Sequence, residues 1–98
     1  MITPEIVEEF KRSMHITHSS EDIHLKGLLS SSYKAIKRDC GEFDIEENEM
    51  GKELVFGRAR YAYNDSLEFF QKNFLSELHS FSFTLLPDPE EGDLIDPI

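Results

Sequence analysis

The feature that most constrains the fold is the spacing of apolar residues between Leu25 and Gly41. A stripe recurs there at three- and four-residue steps: Leu25, Leu28, Leu29, Ser32, Ile36 and Cys40, with Tyr33 beside it. That period is typical of an amphipathic helix, and basic residues near its end complement the helix dipole. Gly41 is placed to terminate it. We therefore predict a helix capped by Ser19 or Ser20 that buries one face.

Two flanking segments also predict helices. Thr3 is a suitable N-cap and Pro4 a suitable first helical residue, so the first helix is expected over residues 4–13. A third helix is expected from near Asn48 through Tyr63. Beyond it, the helix continues to Phe70, or Asn64-Asp65-Ser66 caps a new helix.

The C-terminal third is the most apolar part of the chain, because six of the eight phenylalanines follow residue 55. Residues 67–80 suit a helix, whereas the alternation from Phe81 to Leu86 favours an extended segment. The sequence thus predicts an all-α fold, a small bundle of about three to four helices over residues 1–86. An acidic, proline-rich, flexible tail is expected over residues 87–98.

The net charge of −10 is concentrated in two segments. One is a loop with five acids and no base: Glu42, Asp44, Glu46, Glu47 and Glu49. The other is the tail, which also has five acids and no base. The rest of the chain is balanced, with ten acids against ten bases. Attraction to nucleic acid is disfavoured, because phosphate binding requires a positive face.

The chemistry-bearing residues indicate binding and not catalysis. Cys40 is the only cysteine, so it can form no disulfide within the chain, and the reducing cytosol is the expected site of synthesis. The four histidines lack metal-site spacing, and no phosphate loop or nucleophile elbow is present. No secretory signal or membrane-spanning stretch is found. We expect no enzymatic activity, no metal, no cofactor and no membrane partner.

One short motif opens an alternative. Asp65-Ser66-Leu67 matches the Asp-Ser-Leu of acyl carrier proteins, whose serine bears a phosphopantetheine arm at a helix start. Ser66 would then be the attachment site. The residues before Asp65 look helical, however, where carrier proteins have a glycine-containing turn. A third interpretation is a small phage-encoded regulatory module that binds one host protein through its phenylalanine-rich surface.

A broader resemblance covers residues 2–86. A short capped helix leads through Thr17–Asp22 into the Leu-x-x-Leu-Leu-x-x-Ser-x-x-x-Ile-x-x-x-Cys-Gly helix of residues 25–41. An acidic loop and a long helix ending in Arg60-Tyr61-Ala62-Tyr63-Asn64-Asp65 follow. This order resembles the head–tail connector (adaptor) proteins of tailed double-stranded DNA phages and prophages. The phenylalanine-rich stretch after Asp65 differs from many members of that family.

The resemblance implies a structural virion protein at the head–tail interface, assembled in the bacterial host cytoplasm. Its partners would be copies of itself in a twelve-fold ring, the portal protein above and a downstream connector or tail protein below. DNA would pass through without specific binding, and the acids of the loop would face the channel. Six residues are expected to bind partners: Phe81, Phe83, Leu85, Leu86, Leu94 and Ile95.

Overall fold

The computed structural model describes residues 1–87. It comprises α1 (Pro4–Met14), α2 (Asp22–Cys40), α3 (Glu49–Tyr63), α4 (Phe70–Asn73) and α5 (Leu75–Thr84), with a 3-10 turn at Leu67–Phe69 before α4. Within residues 1–87 there is no β-strand, so the predicted all-α class is confirmed. The tail residues 88–98, with Leu94 and Ile95, lie outside the described part of the chain.

Helix α1 begins as its sequence predicts. The side chain of Thr3 accepts a hydrogen bond from the backbone N–H of Ile6 at 3.2 Å, and Pro4 occupies the first helical position. The apolar face of α1 buries Ile6, Val7 and Phe10 against the other helices. The helix ends at His15, which adopts a left-handed conformation with φ of 61°.

Lys11 ties α1 to the start of α2. Its side chain is almost fully buried, and Nζ lies 2.8 Å from Oδ1 of Asp22 and 3.4 Å from Oε2 of Glu8. The contact with the Asp22 carboxylate is the main cause that raises the pKa of Lys11. Burial alone would destabilise the charged form of Lys11, and its contacts with these two carboxylates offset that effect.

Helices α2 and α3 form the central pair of the bundle. Leu25, Leu29 and Ile36 of α2 meet Leu54 and Val55 of α3 in one buried cluster. The same interface contains one polar contact, in which Nη1 of Arg58 donates to the fully buried hydroxyl of Ser32 at 3.2 Å. Burial, together with the charge of Arg38, lowers the pKa of Arg58.

Two sequence predictions about boundaries are wrong. Neither Ser19 nor Ser20 caps α2, whose N-cap is Glu21 without a side-chain hydrogen bond; Oγ of Ser20 instead lies 2.9 Å from Nδ1 of His18. The third helix stops at Tyr63, because Asp65 takes a positive φ of 56° that a helix cannot accommodate.

The prediction of an extended segment from Phe81 to Leu86 is also wrong. Helix α5 continues to Thr84, and a turn follows at Leu85 and Leu86. Leu78 and Phe81 are both buried and lie three residues apart, which places them on one helical face. The alternating phenylalanines therefore do not alternate across a sheet. Phe81 points into the core while Phe83 is 73% exposed.

Candidate functional site

The first candidate surface is the acidic loop, residues 42–49, which connects α2 to α3 and includes Glu49, the first residue of α3. All five of its acidic side chains are exposed: Glu42, Asp44, Glu46, Glu47 and Glu49. Within residues 1–87, only Glu49 has a cation within 4.0 Å, with Nζ of Lys52 at 3.7 Å. The loop therefore displays a dense negative charge that the described part of the chain leaves largely uncompensated.

The acidic loop is fixed to the body of the protein by one hydroxyl. The Tyr33 OH donates to the backbone carbonyl of Phe43 at 2.7 Å and accepts from the N–H of Ile45 at 3.1 Å. Ile45 is fully buried, so these bonds satisfy polar backbone groups that would otherwise be desolvated without partners. The charges are thus carried by a loop with a defined conformation.

Aromatic packing adds a second anchor. The Phe43 ring lies 5.2 Å from that of Tyr33 and 5.0 Å from that of Phe81, edge to face in both cases. Gly51 of α3 makes room for this cluster, because a Cβ there would come within 2.8 Å of Cζ of Phe81. At the end of the acidic loop, the side chain of Asn48 caps α3 by accepting a hydrogen bond from the Gly51 N–H at 2.9 Å.

The second candidate surface is a groove between the C-terminal ends of α2 and α5, here called the α2–α5 groove. It has a volume of about 340 Å³ and is lined by Asp39, Cys40, His79, Ser82, Phe83 and Leu86. Phe83 and Leu86 are 73% and 61% exposed, so their apolar area is free in the described chain. Such concentrated apolar exposure is a feature of interaction surfaces.

The structure separates the six residues expected to bind partners. Phe83 and Leu86 line the groove, and Leu85 is half-buried against Gly41. Phe81 is fully buried beside Phe43 and presents no surface to a partner, which corrects its expected role. Leu94 and Ile95 lie outside the described residues.

Cys40 lies at the edge of the α2–α5 groove. Its side chain is partly buried, and Sγ donates to the carbonyl of Leu78 at 3.6 Å. This contact joins α2 to α5 through a weak hydrogen bond. Cys40 therefore takes part in packing at the groove wall.

Ser66 lies at the turn after α3. Its hydroxyl donates to the backbone carbonyl of Tyr61 at 3.2 Å, and its side chain is partly buried. The helical segments that follow it directly are short, a three-residue 3-10 turn and the four-residue α4. A carrier-type serine would need to release this hydrogen bond before its oxygen could attack a phosphopantetheine donor.

The histidines do not converge on one point. His18 lies 3.7 Å from Glu21, which is the nearest approach of a histidine to a carboxylate among the ion pairs of residues 1–87. No group of three or more histidine, cysteine or acidic side chains is arranged to hold a metal ion in that range. In the same part of the chain, no helix combines the length and the apolar character needed to cross a bilayer.

Sequence reasoning missed one surface, here called the lysine groove. It lies between the start of α1 and one face of α2, has a volume of about 490 Å³, and is lined by Met1, Ile2, Thr3, Pro4, Lys26, Ser30, Tyr33, Lys34 and Lys37. The signal was present in the spacing of Lys26, Lys34 and Lys37, since positions separated by eight and eleven residues share a helical face. The sequence prediction gave Lys34 and Lys37 only a role in complementing the helix dipole and gave Lys26 none.

Comparison of the chain with protein-family models, curated protein sequences and solved structures finds no match.

Proposed function

We propose that this chain is a structural virion protein, a head–tail connector subunit that forms a ring beneath the portal and joins the DNA-filled capsid to the tail. The all-α fold and the order of α1, α2, acidic loop and α3 support this proposal. The chain acts by binding and has no enzymatic role.

The observation that carries the proposal is the exposure of apolar groups at opposite ends of α2. At the C-terminal end lie Phe83 and Leu86 of the α2–α5 groove. At the N-terminal end lies Ile23, which is 90% exposed. The 19 residues of α2 separate these ends by about 28 Å. A ring requires one surface of each subunit to meet a different surface of the next, and two separated apolar features suit such a heterologous contact.

The acidic loop supports a second part of the proposal. Exposed carboxylates on a fixed loop repel phosphate when they line a channel, so DNA passes without being retained. Replacing Glu42, Asp44, Glu46, Glu47 and Glu49 by Gln or Asn is expected to slow genome ejection or increase DNA retention. Unchanged ejection kinetics in virions that carry the neutralised loop would argue against a channel-facing role.

Ring formation on the portal tests the main proposal. The chain is mixed with the portal protein encoded in the same phage or prophage genome, and the assembly is measured by light scattering and negative-stain microscopy. We expect a ring of subunits on the portal. The double variant Phe83→Ser/Leu86→Ser is expected to lose ring assembly while keeping its helical circular dichroism. Leu75→Ser, at the opposite end of α5, provides a matched control with 46% exposure in the parent residue.

Absence of any ring or portal complex with the unmodified chain would overturn the connector proposal. Two other results would assign a different function. A phosphopantetheine mass increase lost in Ser66→Ala, after co-expression with a phosphopantetheinyl transferase, would establish a carrier protein. A one-to-one complex with a single host protein would establish a regulatory module.

A further inference from the structure

The lysine groove carries positive charge that the described chain does not compensate. Within residues 1–87, no carboxylate lies within 4.0 Å of Lys26, Lys34 or Lys37, whereas the buried Lys11 and the partly buried Lys52 are both paired. Nζ of Lys37 instead lies 4.3 Å from the centre of the Tyr33 ring. Three unpaired cations along one face are unexpected in a chain whose net charge is −10.

The walls of the lysine groove combine these cations with apolar groups. Ile2 and Tyr33 form its buried side, while Lys26 and Lys34 are exposed. A segment that fits this groove would therefore carry several carboxylates with a few aliphatic side chains among them. Nucleic acid would satisfy the charge but not the aliphatic walls.

Residues 88–98 of this chain have that composition. They contain five acids and no base, interspersed with Leu94, Ile95 and Ile98. The described chain ends near the C-terminal end of α2, the helix that carries the three lysines. The side chain of Leu85 packs against Gly41, whose backbone N–H donates to the carbonyl of Lys37 at 2.9 Å.

The length of the segment is sufficient. Eleven extended residues reach about 36 Å, whereas the helical distance from Lys26 to Lys37 is about 17 Å. Because the segment is covalently attached near the end of the helix that carries the lysines, its effective concentration at the groove is about millimolar, as expected for a short linker.

We propose that residues 88–98 bind in the lysine groove of their own chain, with their carboxylates on Lys26, Lys34 and Lys37 and with Leu94 and Ile95 against the apolar walls. In this arrangement three lysines of the body offset three of the five acids in the C-terminal segment, and the acidic loop remains as the exposed negative surface. The inference does not depend on the connector proposal, because it concerns the isolated chain.

A zero-length carbodiimide cross-linker tests the contact directly. The reagent activates a carboxylate. A lysine amine within contact distance then attacks the activated carbonyl carbon, an amide bond forms, and the reagent leaves as a urea. In the full-length monomer we expect amides between residues 88–98 and Lys34 or Lys37. The described pair Lys52 and Glu9, whose atoms lie 3.1 Å apart, provides an internal positive control. If the control amide forms and no groove amide does, the proposal is overturned.

A mixture of isotopically heavy and light chains identifies the source of the segment. Amides within one chain support the proposal. Groove amides that join a heavy to a light chain would overturn it, because the occupant would then be a second copy.

Proteolysis provides an independent measurement on the full chain. A glutamate-specific protease should cleave after Glu90 and Glu91 faster when the groove lysines are reversed in Lys26→Glu/Lys34→Glu/Lys37→Glu. Three exposed ion pairs, each contributing about a factor of two, give about an eightfold increase in cleavage rate.

The matched control reverses three exposed cations outside the lysine groove, in the variant Arg12→Glu/Arg60→Glu/Lys72→Glu. Its net charge is identical, so it should leave the cleavage rate near that of the parent. Equal acceleration in both variants would show that net charge alone controls the protease, and the proposal would fail. Equal rates in all three proteins would show that the groove does not protect the segment, with the same consequence.

Discussion

Removing the Tyr33 hydroxyl by Tyr33→Phe should destabilise the protein substantially, although the substitution leaves the aromatic ring in place. The hydroxyl donates to the carbonyl of Phe43 at 2.7 Å and accepts from the N–H of Ile45 at 3.1 Å. A buried polar group left without a partner costs about 1–3 kcal/mol. The Ile45 N–H is fully buried, whereas water can reach the half-exposed Phe43, so we expect a net loss of about 2 kcal/mol.

The measurement is urea unfolding followed by far-ultraviolet circular dichroism, with thermal unfolding in parallel. For a domain of this size, a loss of about 2 kcal/mol lowers Tm by about 10 °C. Hydrogen exchange at the Ile45 amide should accelerate more than exchange within α2, because the loop loses its anchor before the helices separate.

Tyr61→Phe is the matched control. The Tyr61 hydroxyl accepts from the exposed side-chain amide of Asn73 at 3.1 Å, and removing such a surface contact should change stability by less than about 0.5 kcal/mol. If the two variants lose the same stability, the Tyr33 hydroxyl does not hold the acidic loop, and the reasoning about its buried partners is refuted.

Three further predictions concern single positions. Gly51→Ala should destabilise the fold by about 1–3 kcal/mol, because the new Cβ would lie 2.8 Å from Cζ of Phe81. Gly27→Ala should stabilise the fold by up to about 1 kcal/mol, because a Cβ there has no neighbouring atom within 4 Å. The urea unfolding midpoints of both variants check this pair of predictions. Phe81→Ala should lower the free energy of unfolding by about 3–5 kcal/mol, because this ring is fully buried. Phe83→Ala should lower it by less than about 0.5 kcal/mol, because that ring is exposed. Similar losses of stability in the two variants would contradict this difference in burial. Contact with the Asp22 carboxylate raises the pKa of Lys11. The stability that this pair contributes is therefore complete below the ordinary lysine pKa of 10.5 and is lost as pH rises through the higher pKa of the folded state. Unfolding free energies measured from pH 8 to 11.5 should fall less steeply in Lys11→Met, and parallel curves would refute the linkage.

Local sequence signals were sufficient for the ends of several helices. Thr3, Gly41 and Asn48 each act at a terminus as their residue types predict, because capping depends on neighbours within a few residues. The predicted Ser19 or Ser20 cap was wrong. Oγ of Ser20 lies 2.9 Å from Nδ1 of His18, and α2 begins after Glu21 without a side-chain cap.

The candidate surfaces were less predictable, because they depend on which distant residues meet. Phe81 and Phe83 have the same side chain and the same alternating context, yet only Phe81 enters the core. The space for it is provided by Gly51, which is 30 positions earlier in the chain and carries no sequence signal for this role. The role of Tyr33 as a loop anchor likewise requires the tertiary approach of residues 43 and 45.

The absence of a side chain at Gly51 has a consequence for how the molecule can vary. The ring of Phe43 occupies the space next to Gly51, and the height of the acidic loop above α3 is set by that contact. Substitution at position 51 would therefore shift the four carboxylates that precede α3, those of Glu42, Asp44, Glu46 and Glu47, while leaving their number unchanged. The position of this negative charge relative to a neighbouring molecule therefore depends on Gly51, a residue that has neither charge nor side chain.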